Sequence, residues 1–258
     1  MPTTSAKNIS PFFILGCVRS GTTMLRDALR LHPNLACPEE THYFRWSEPF
    51  GTESMIKTLV NNPILKRHRQ LDGITEDEFS TIIKKAESRR DVYRQYMALY
   101  LERNKPEANR WFDKTPQNVY GAFLAAAQFP HSKFVHIVRN PLNVVASLRI
   151  GKVMSVPSIV GATNYWTEAV AVIKGLKKAF PNRIHELRYE DFVASPTQEI
   201  HCVLDFLGEP FSAVDFASFK SIESDHQSKG ILTPAEVRQV IRICGPSMAQ
   251  YGYTNNQA

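Results

Sequence analysis

The chain has 258 residues, 43% of them hydrophobic, which is enough to bury a sizeable core as one α/β domain and too apolar for a disordered chain. Lys and Arg outnumber Asp and Glu by 31 to 25, a formal net charge of +6 that suits an anionic ligand without naming it. The basic residues are dispersed and no aromatic-basic RNA motif occurs, so nucleic acid is not an expected partner.

In chain order, MPTTSAKNIS lacks the apolar segment of a signal peptide, and no window holds about 18 uninterrupted apolar residues. The expectation is a cytoplasmic chain without a membrane span. PFFILG then reads as a buried strand closed by Gly16. In TTMLRDALRLHP, Met24, Leu25, Ala28, Leu29 and Leu31 fall at helical spacing, so the segment is a strand, a glycine-rich turn and a helix. CPEETHYFRW follows, carrying Glu39, Glu40 and His42. A mainly helical insertion is expected around 52–108, including one long charged stretch from Glu76 to Asn104 that reads as a solvated face or cap. In RWFDKTPQN, Thr115 is an N-cap, Pro116 the first helical residue, and Lys114 projects at the junction.

KFVHIVRNP is a second buried strand ending in Arg139, with Asn140 as N-cap and Pro141 opening the next helix. RIHELRYED is a third strand ending near Tyr189, followed by the helix TQEIHCVLDFLG. Strands alternating with helices predict a P-loop-type three-layer α/β fold: a central parallel sheet with helices on both faces. The four cysteines, Cys17, Cys37, Cys202 and Cys244, show no metal-ligand spacing and are expected as mostly buried thiols.

The chemistry centres on GCVRSGTTML. A Walker A loop reads G-x-x-x-x-G-K-[ST]; here the glycines are Gly16 and Gly21 and the last position is Thr23, but Thr22 stands at the lysine and the cation has moved to Arg19. Glycines let the backbone approach a ligand, the helix N-terminus offers N–H groups and a positive dipole end, and Ser20, Thr22 and Thr23 add hydroxyl donors. No apolar strand ends in the Asp that would help hold Mg²⁺, so the loop reads as one that handles an anion without metal. Arg139 at a strand's carboxyl end and Ser147 two turns into the next helix form a second anion site. Two such sites on adjacent strand ends would grip a nucleotide phosphorylated at both ends of its ribose.

These motifs resemble those of sulfotransferases that use 3′-phosphoadenosine 5′-phosphosulfate (PAPS). GCVRSGTTML is similar to that family's 5′-phosphosulfate loop, and FVHIVRNPLNVVASL to its 3′-phosphate motif, with Arg139 and Ser147 in place. HPNLACPEET resembles tyrosylprotein sulfotransferases and EETHYF the E-x-H-F-F stretch of heparan sulfate 3-O-sulfotransferases; in both, the residue matching Glu40 is the general base. DKTP resembles a segment whose lysine, here Lys114, contacts the transferred sulfuryl group. LRYEDF is similar to a segment that would bring Tyr189 near the nucleotide, and GPSMAQYGY to the terminal packed helix of the tyrosylprotein enzymes. The resemblance implies PAPS as co-substrate, no metal, and a hydroxyl acceptor that is a tyrosine, a glycan, or a lipid or small molecule.

His42 competes with Glu40 for the base role but reads first as a structural histidine, and Glu39 as a supporting or surface carboxylate. The tyrosylprotein enzymes carry a further basic residue where Gly151 falls, which leaves Arg149 or Lys152 as substitutes. Lys229 in SKGILTP is a third candidate for the 3′-phosphate. Two other readings stand beside the sulfotransferase: a P-loop kinase or nucleotide hydrolase, which requires Mg²⁺–ATP, and a non-catalytic anion-binding protein, which would tolerate loss of Glu40.

Overall fold

The computed structural model describes residues 10–151, 154–211 and 230–253. Lys152 and Lys229 lie outside the described residues. The chain begins with β1 (Phe12–Leu15), α1 (Thr22–Arg30) and the two-residue β2 (Leu35–Ala36). Four helices follow: α2 (Glu53–Asn61), α3 (Pro63–Leu71), α4 (Glu76–Lys85) and α5 (Arg89–Asn104). Then come β3 (Arg110–Lys114), a 3-10 turn (Pro116–Gly121), α6 (Ala122–Gln128), β4 (Lys133–Val138), α7 (Pro141–Arg149) and α8 (Ile159–Ala179). The described chain closes with β5 (Ile184–Arg188), α9 (Tyr189–Ala194), α10 (Pro196–Leu207) and α11 (Pro234–Gln250).

The five strands form one parallel sheet in the order β2-β3-β1-β4-β5. Side chains alternate across β1, so Phe12 and Ile14 face a core built with α1, α9 and α10, while Phe13 and Leu15 face a second core with α6, α7, α8, α11 and the helices between β2 and β3. Helices cover both faces, as the alternation of elements predicted. No helix among the described residues is long and apolar enough to cross a membrane. Cys17, Cys37 and Cys244 are buried free thiols and Cys202 is an exposed one.

The sequence reading found three strands, and the structure adds β2 and β3. β2 is too short to show a period, and β3 reads R-W-F-D-K, with polar groups at both ends. Those ends are buried because they find partners: Arg110 donates to the Ser10 and Leu207 carbonyls and pairs with Glu209 at 3.1 Å. The stretch from Glu76 to Asn104 is also two helices rather than one. The chain leaves helical geometry at Ala86, and Ser88 starts α5 as an N-cap accepting from the Asp91 N–H. Asn140 caps α7 as expected, accepting from Leu142 N–H ahead of Pro141. The helix carrying GPSMAQ is α11, which buries Val240, Cys244 and Met248 despite Pro246 in its interior.

Candidate active site

The carboxyl ends of β1, β3, β4 and β5 meet at one end of the sheet, where open parallel sheets bind ligands. From β1 comes the loop Gly16–Gly21. Arg19 sits there at φ 69, a left-handed conformation that costs a non-glycine residue roughly 1 kcal/mol and persists only where the surroundings impose it. Gly21 takes φ 90, and a Cβ there would lie 2.3 Å from the Tyr189 ring; a Cβ on Gly16 would lie 2.7 Å from the Ile137 carbonyl oxygen. Both glycines are therefore required by close approach. Gly21 also leaves α1 without a side-chain cap or an acidic residue in its first turn, and the Ser20 hydroxyl is fully buried with no partner in the protein. The loop is a cradle of unmatched donors.

The effect of Gly21 on stability is separable from that of backbone strain alone. Gly208 has a similar φ of 83 but open space where a Cβ would go. Both Gly→Ala variants should lose stability from the left-handed backbone, but Gly21→Ala should lose several degrees more in thermal midpoint, because the Tyr189 ring must also move. Equal midpoints in scanning calorimetry would show that Tyr189 is not packed against the loop.

Arg139 and Ser147 come from β4 and α7, and both converge on Arg19. Arg19 Nε donates to Ser147 Oγ at 2.9 Å, and Arg139 Nη1 donates to the Arg19 carbonyl at 3.3 Å. The Arg139 guanidinium lies 4.2 Å above the centre of the Tyr189 ring, and its Nε has no partner. Burial pushes the Arg139 pKa down from its usual value, with Tyr189 and Glu190 opposing and the Arg19 guanidinium adding to the push. Two guanidinium groups this close, with donors to spare, make a site that an anion would stabilise. The Arg139 backbone is anchored on both sides: Trp166 Nε1 donates to its carbonyl at 2.9 Å, and the next N–H, of Asn140, donates to Glu190 at 2.9 Å.

Glu40 lies across from the loop. It accepts a short hydrogen bond from Lys114 Nζ, which also reaches Thr23 Oγ1 at 3.2 Å, and its other oxygen is 3.4 Å from His42 Nε2. Burial works against ionising Glu40, but the hydrogen bond with His42 and the Lys114 ammonium outweigh it and hold the carboxyl down to about 2. Lys114 does not project into solvent. As the last residue of β3 it is 2% exposed, and it lines up beside Ile14 of β1 in the sheet register. Glu39, one residue away, turns elsewhere and pairs with Arg26 at 3.0 Å and Arg30 at 3.3 Å. His42 stands in the left-handed region at φ 57, with Nδ1 buried and unpartnered and its ring stacked on His68.

The Glu40 segment is held by buried polar groups that sequence reading passed over. Asp113 accepts from Thr41 Oγ1 at 2.7 Å, Thr115 Oγ1 at 3.2 Å and Asn118 Nδ2 at 2.9 Å, while Thr115 Oγ1 accepts from the Thr41 N–H at 3.0 Å. Burial raises the Asp113 pKa against these donors. The Thr115 hydroxyl is thus engaged across the sheet end instead of capping the following 3-10 turn, which has no side-chain cap. The network ties residues 40–42 to the strand that carries Lys114, and so fixes the Glu40 carboxylate and the Lys114 ammonium together. His68 Nδ1 adds a 2.8 Å contact to the Glu40 carbonyl.

A cleft of about 400 Å³ opens beside these groups, lined by Arg19, Thr23, Glu40, His42, Trp46 and Met154 among others. Arg149 is outside it, paired with Glu236 at 3.2 Å. The geometry therefore joins Arg19, Ser20, Gly21, Thr22, Thr23, Glu40, Lys114, Arg139, Ser147 and Tyr189 at one sheet end.

A parallel sheet with a glycine loop after its central strand and cationic groups on the neighbouring strand ends is an architecture suited to an anionic ligand beyond the strand ends. The sequence matches the profile of the sulfotransferase family over residues 11–213, and the chain belongs to that family. It is similar to protein-tyrosine sulfotransferase 1 of Danio rerio, 24% identical over 220 residues that make up 80% of this chain and 55% of that protein. It is likewise similar to protein-tyrosine sulfotransferase 2 of Gallus gallus, 26% identical over 227 residues, 80% of this chain and 53% of that one. The chain spans about half the length of these relatives. The sulfotransferase domain of the Synechococcus PCC 7002 olefin synthase has the same fold, with a TM-score of 0.70 at 22% identity covering 95% of this chain and 94% of that domain.

Proposed function

We propose that this chain, as a single domain with a helical segment around 52–108 on its acceptor side, transfers a sulfuryl group from PAPS to an acceptor hydroxyl. The observation that carries the reading is the shared position of Glu40, Lys114 and Thr23 beside the loop cradle, a carboxylate and an ammonium at the point where an anion would enter. The residues fit the donor: Gly16 and Gly21 clear the backbone for a phosphate, while the Ser20 hydroxyl and Arg139 Nε are buried donors lacking acceptors.

Arg19, Ser20, Gly21, Thr22 and Thr23 would hold the 5′ end, and Arg139 and Ser147 the 3′-phosphate, with Tyr189 beneath Arg139. The donor supplies an activated sulfuryl group on its 5′-phosphate. Glu40 takes the proton of the acceptor hydroxyl as its oxygen bonds to sulfur, and the electron pair of the breaking S–O bond leaves on the phosphate oxygen. Lys114 and Arg19 face the charge that gathers on that oxygen and on the sulfonate, where fixed cations do most for the rate. Without ligand, Lys114 neutralises Glu40; an anionic donor competes for the same ammonium and leaves the carboxylate more basic. No metal is needed for any of these roles.

The test is calorimetry of 3′-phosphoadenosine 5′-phosphate (PAP) with chelator present, beside ATP with and without Mg²⁺. Metal-independent binding of PAP and a weak response to ATP are expected. Preference for Mg²⁺–ATP would replace the sulfotransferase reading with that of a kinase.

A further inference from the structure

Resting on that reading, we infer that the acceptor is a saccharide, seated in a trench that continues the catalytic cleft between the 3-10 turn and α8. This second cavity, about 500 Å³, shares Arg45, Trp46 and Gln117 with the cleft that holds Glu40, so the two form one path from the carboxylate to the surface. Such a length accommodates more than one hydroxyl-bearing group.

The wall of the trench is built at helical spacing. Gly161, Asn164, Tyr165 and Glu168 recur at intervals of three and four along α8 and form one face, while Ala162, Trp166, Ala169 and Ile173 on the other face are buried in the core. Gly161 packs closely at the start of α8, where a Cβ would press on Val156 at 3.3 Å. Opposite stand Gln117 and Tyr120 from the 3-10 turn, and Tyr120 is left 40% exposed.

The composition of the wall selects among acceptors. The trench holds three aromatic rings, two amides, one guanidinium and one carboxylate, and no aliphatic side chain, whereas the cleft it continues adds Val18, Ile64, Leu65 and Met154 on the Glu40 side. Beyond that cleft, in the trench itself, a long alkyl chain would meet amide and charged groups with nothing apolar to pack on except the rings. An acidic peptide would need excess positive charge, yet Arg45 is matched by Glu168. A sugar presents an apolar C–H face on one side and hydroxyls around its rim. The flat rings match the first; the amides, which both donate and accept, and the charged side chains of Arg45 and Glu168 match the second.

The test uses a glycan array probed with the wild-type protein, alone and loaded with PAP, followed by ³⁵S transfer from PAPS to the glycans retained, to an acidic tyrosine peptide and to dodecanol. Binding to a defined group of glycans and transfer to them over the other two acceptors are expected. Tyr165→Ala and Asn164→Ala should raise KM for the retained glycan about tenfold or more while kcat and PAP affinity stay within about twofold. No retained glycan, preferred transfer to the peptide or the alcohol, or unchanged KM in both variants would overturn the inference. Loss of PAP binding would instead overturn the donor reading, and the array without PAP still reads the trench.

Discussion

Glu40→Gln should lower sulfuryl transfer by roughly 10²–10⁴-fold with any acceptor the wild type uses, while PAP binds as tightly as before or more tightly. The amide keeps the shape and can still accept from Lys114, but it cannot take a proton. It also removes a negative charge beside an anionic ligand and frees Lys114 from the ion pair seen at the end of β3. Turnover and affinity should thus move in opposite directions, which a loosened fold would not produce.

The stability of the same variant has a predictable pH dependence. The folded-state pKa of Glu40 is about 2, below its ordinary 4.5, so the ionised carboxylate contributes stability that is fully present above pH 4.5 and is lost as the pH falls toward 2. Glu40→Gln should therefore be less stable than wild type at pH 7, on the order of 1–3 kcal/mol for a charged hydrogen bond, and the gap should close on acidification. Denaturant melts at pH 7 and pH 3.5 would measure it. Wild-type turnover in this variant would move the base role to another group, and a stability gap that does not change with pH would show that Glu40 is not ionised through its pair with Lys114.

How much of this site the sequence disclosed follows from how local each signal is. The loop and α1 were legible because glycine spacing and apolar period are written within a dozen residues, and β4 with α7 because an apolar run meets Asn140 and Pro141. The break before α5 also had a local signal, Ser88 three residues ahead of Asp91, masked by the helix-forming residues around it. Asp113 was illegible. Its partner Thr41 lies 72 positions earlier in the chain, and the nearby Thr115 and Asn118 would accompany a surface aspartate equally well. The contact of Arg19 with Ser147 spans 128 positions and exists only because β1 and β4 are sheet neighbours. Motif reading places Arg19 and Ser147 in two anion sites, and in the folded chain this hydrogen bond joins the two sites.

That continuity sets the second large effect. Arg139→Ala should weaken PAP binding by about 1.5–3 kcal/mol, roughly ten- to a hundredfold, as expected for losing a charged hydrogen bond. The decisive comparison is adenosine 5′-phosphosulfate, which lacks the 3′-phosphate. If Arg139 acts on that phosphate, the substitution should cost this ligand little, and the difference between the two ligands measures the contact itself. Arg139 also holds the Arg19 carbonyl and covers Tyr189, so a purely structural role would weaken both ligands alike by disturbing the loop. Ser147→Ala supplies the intermediate case. It removes one acceptor from Arg19 and one hydroxyl from the same anion site, and should weaken PAP by less than Arg139→Ala while leaving the shorter ligand unaffected. Equal losses for both ligands in either variant would mean that the 3′-phosphate is bound elsewhere, and Arg139 would then be a support for the left-handed turn at Arg19.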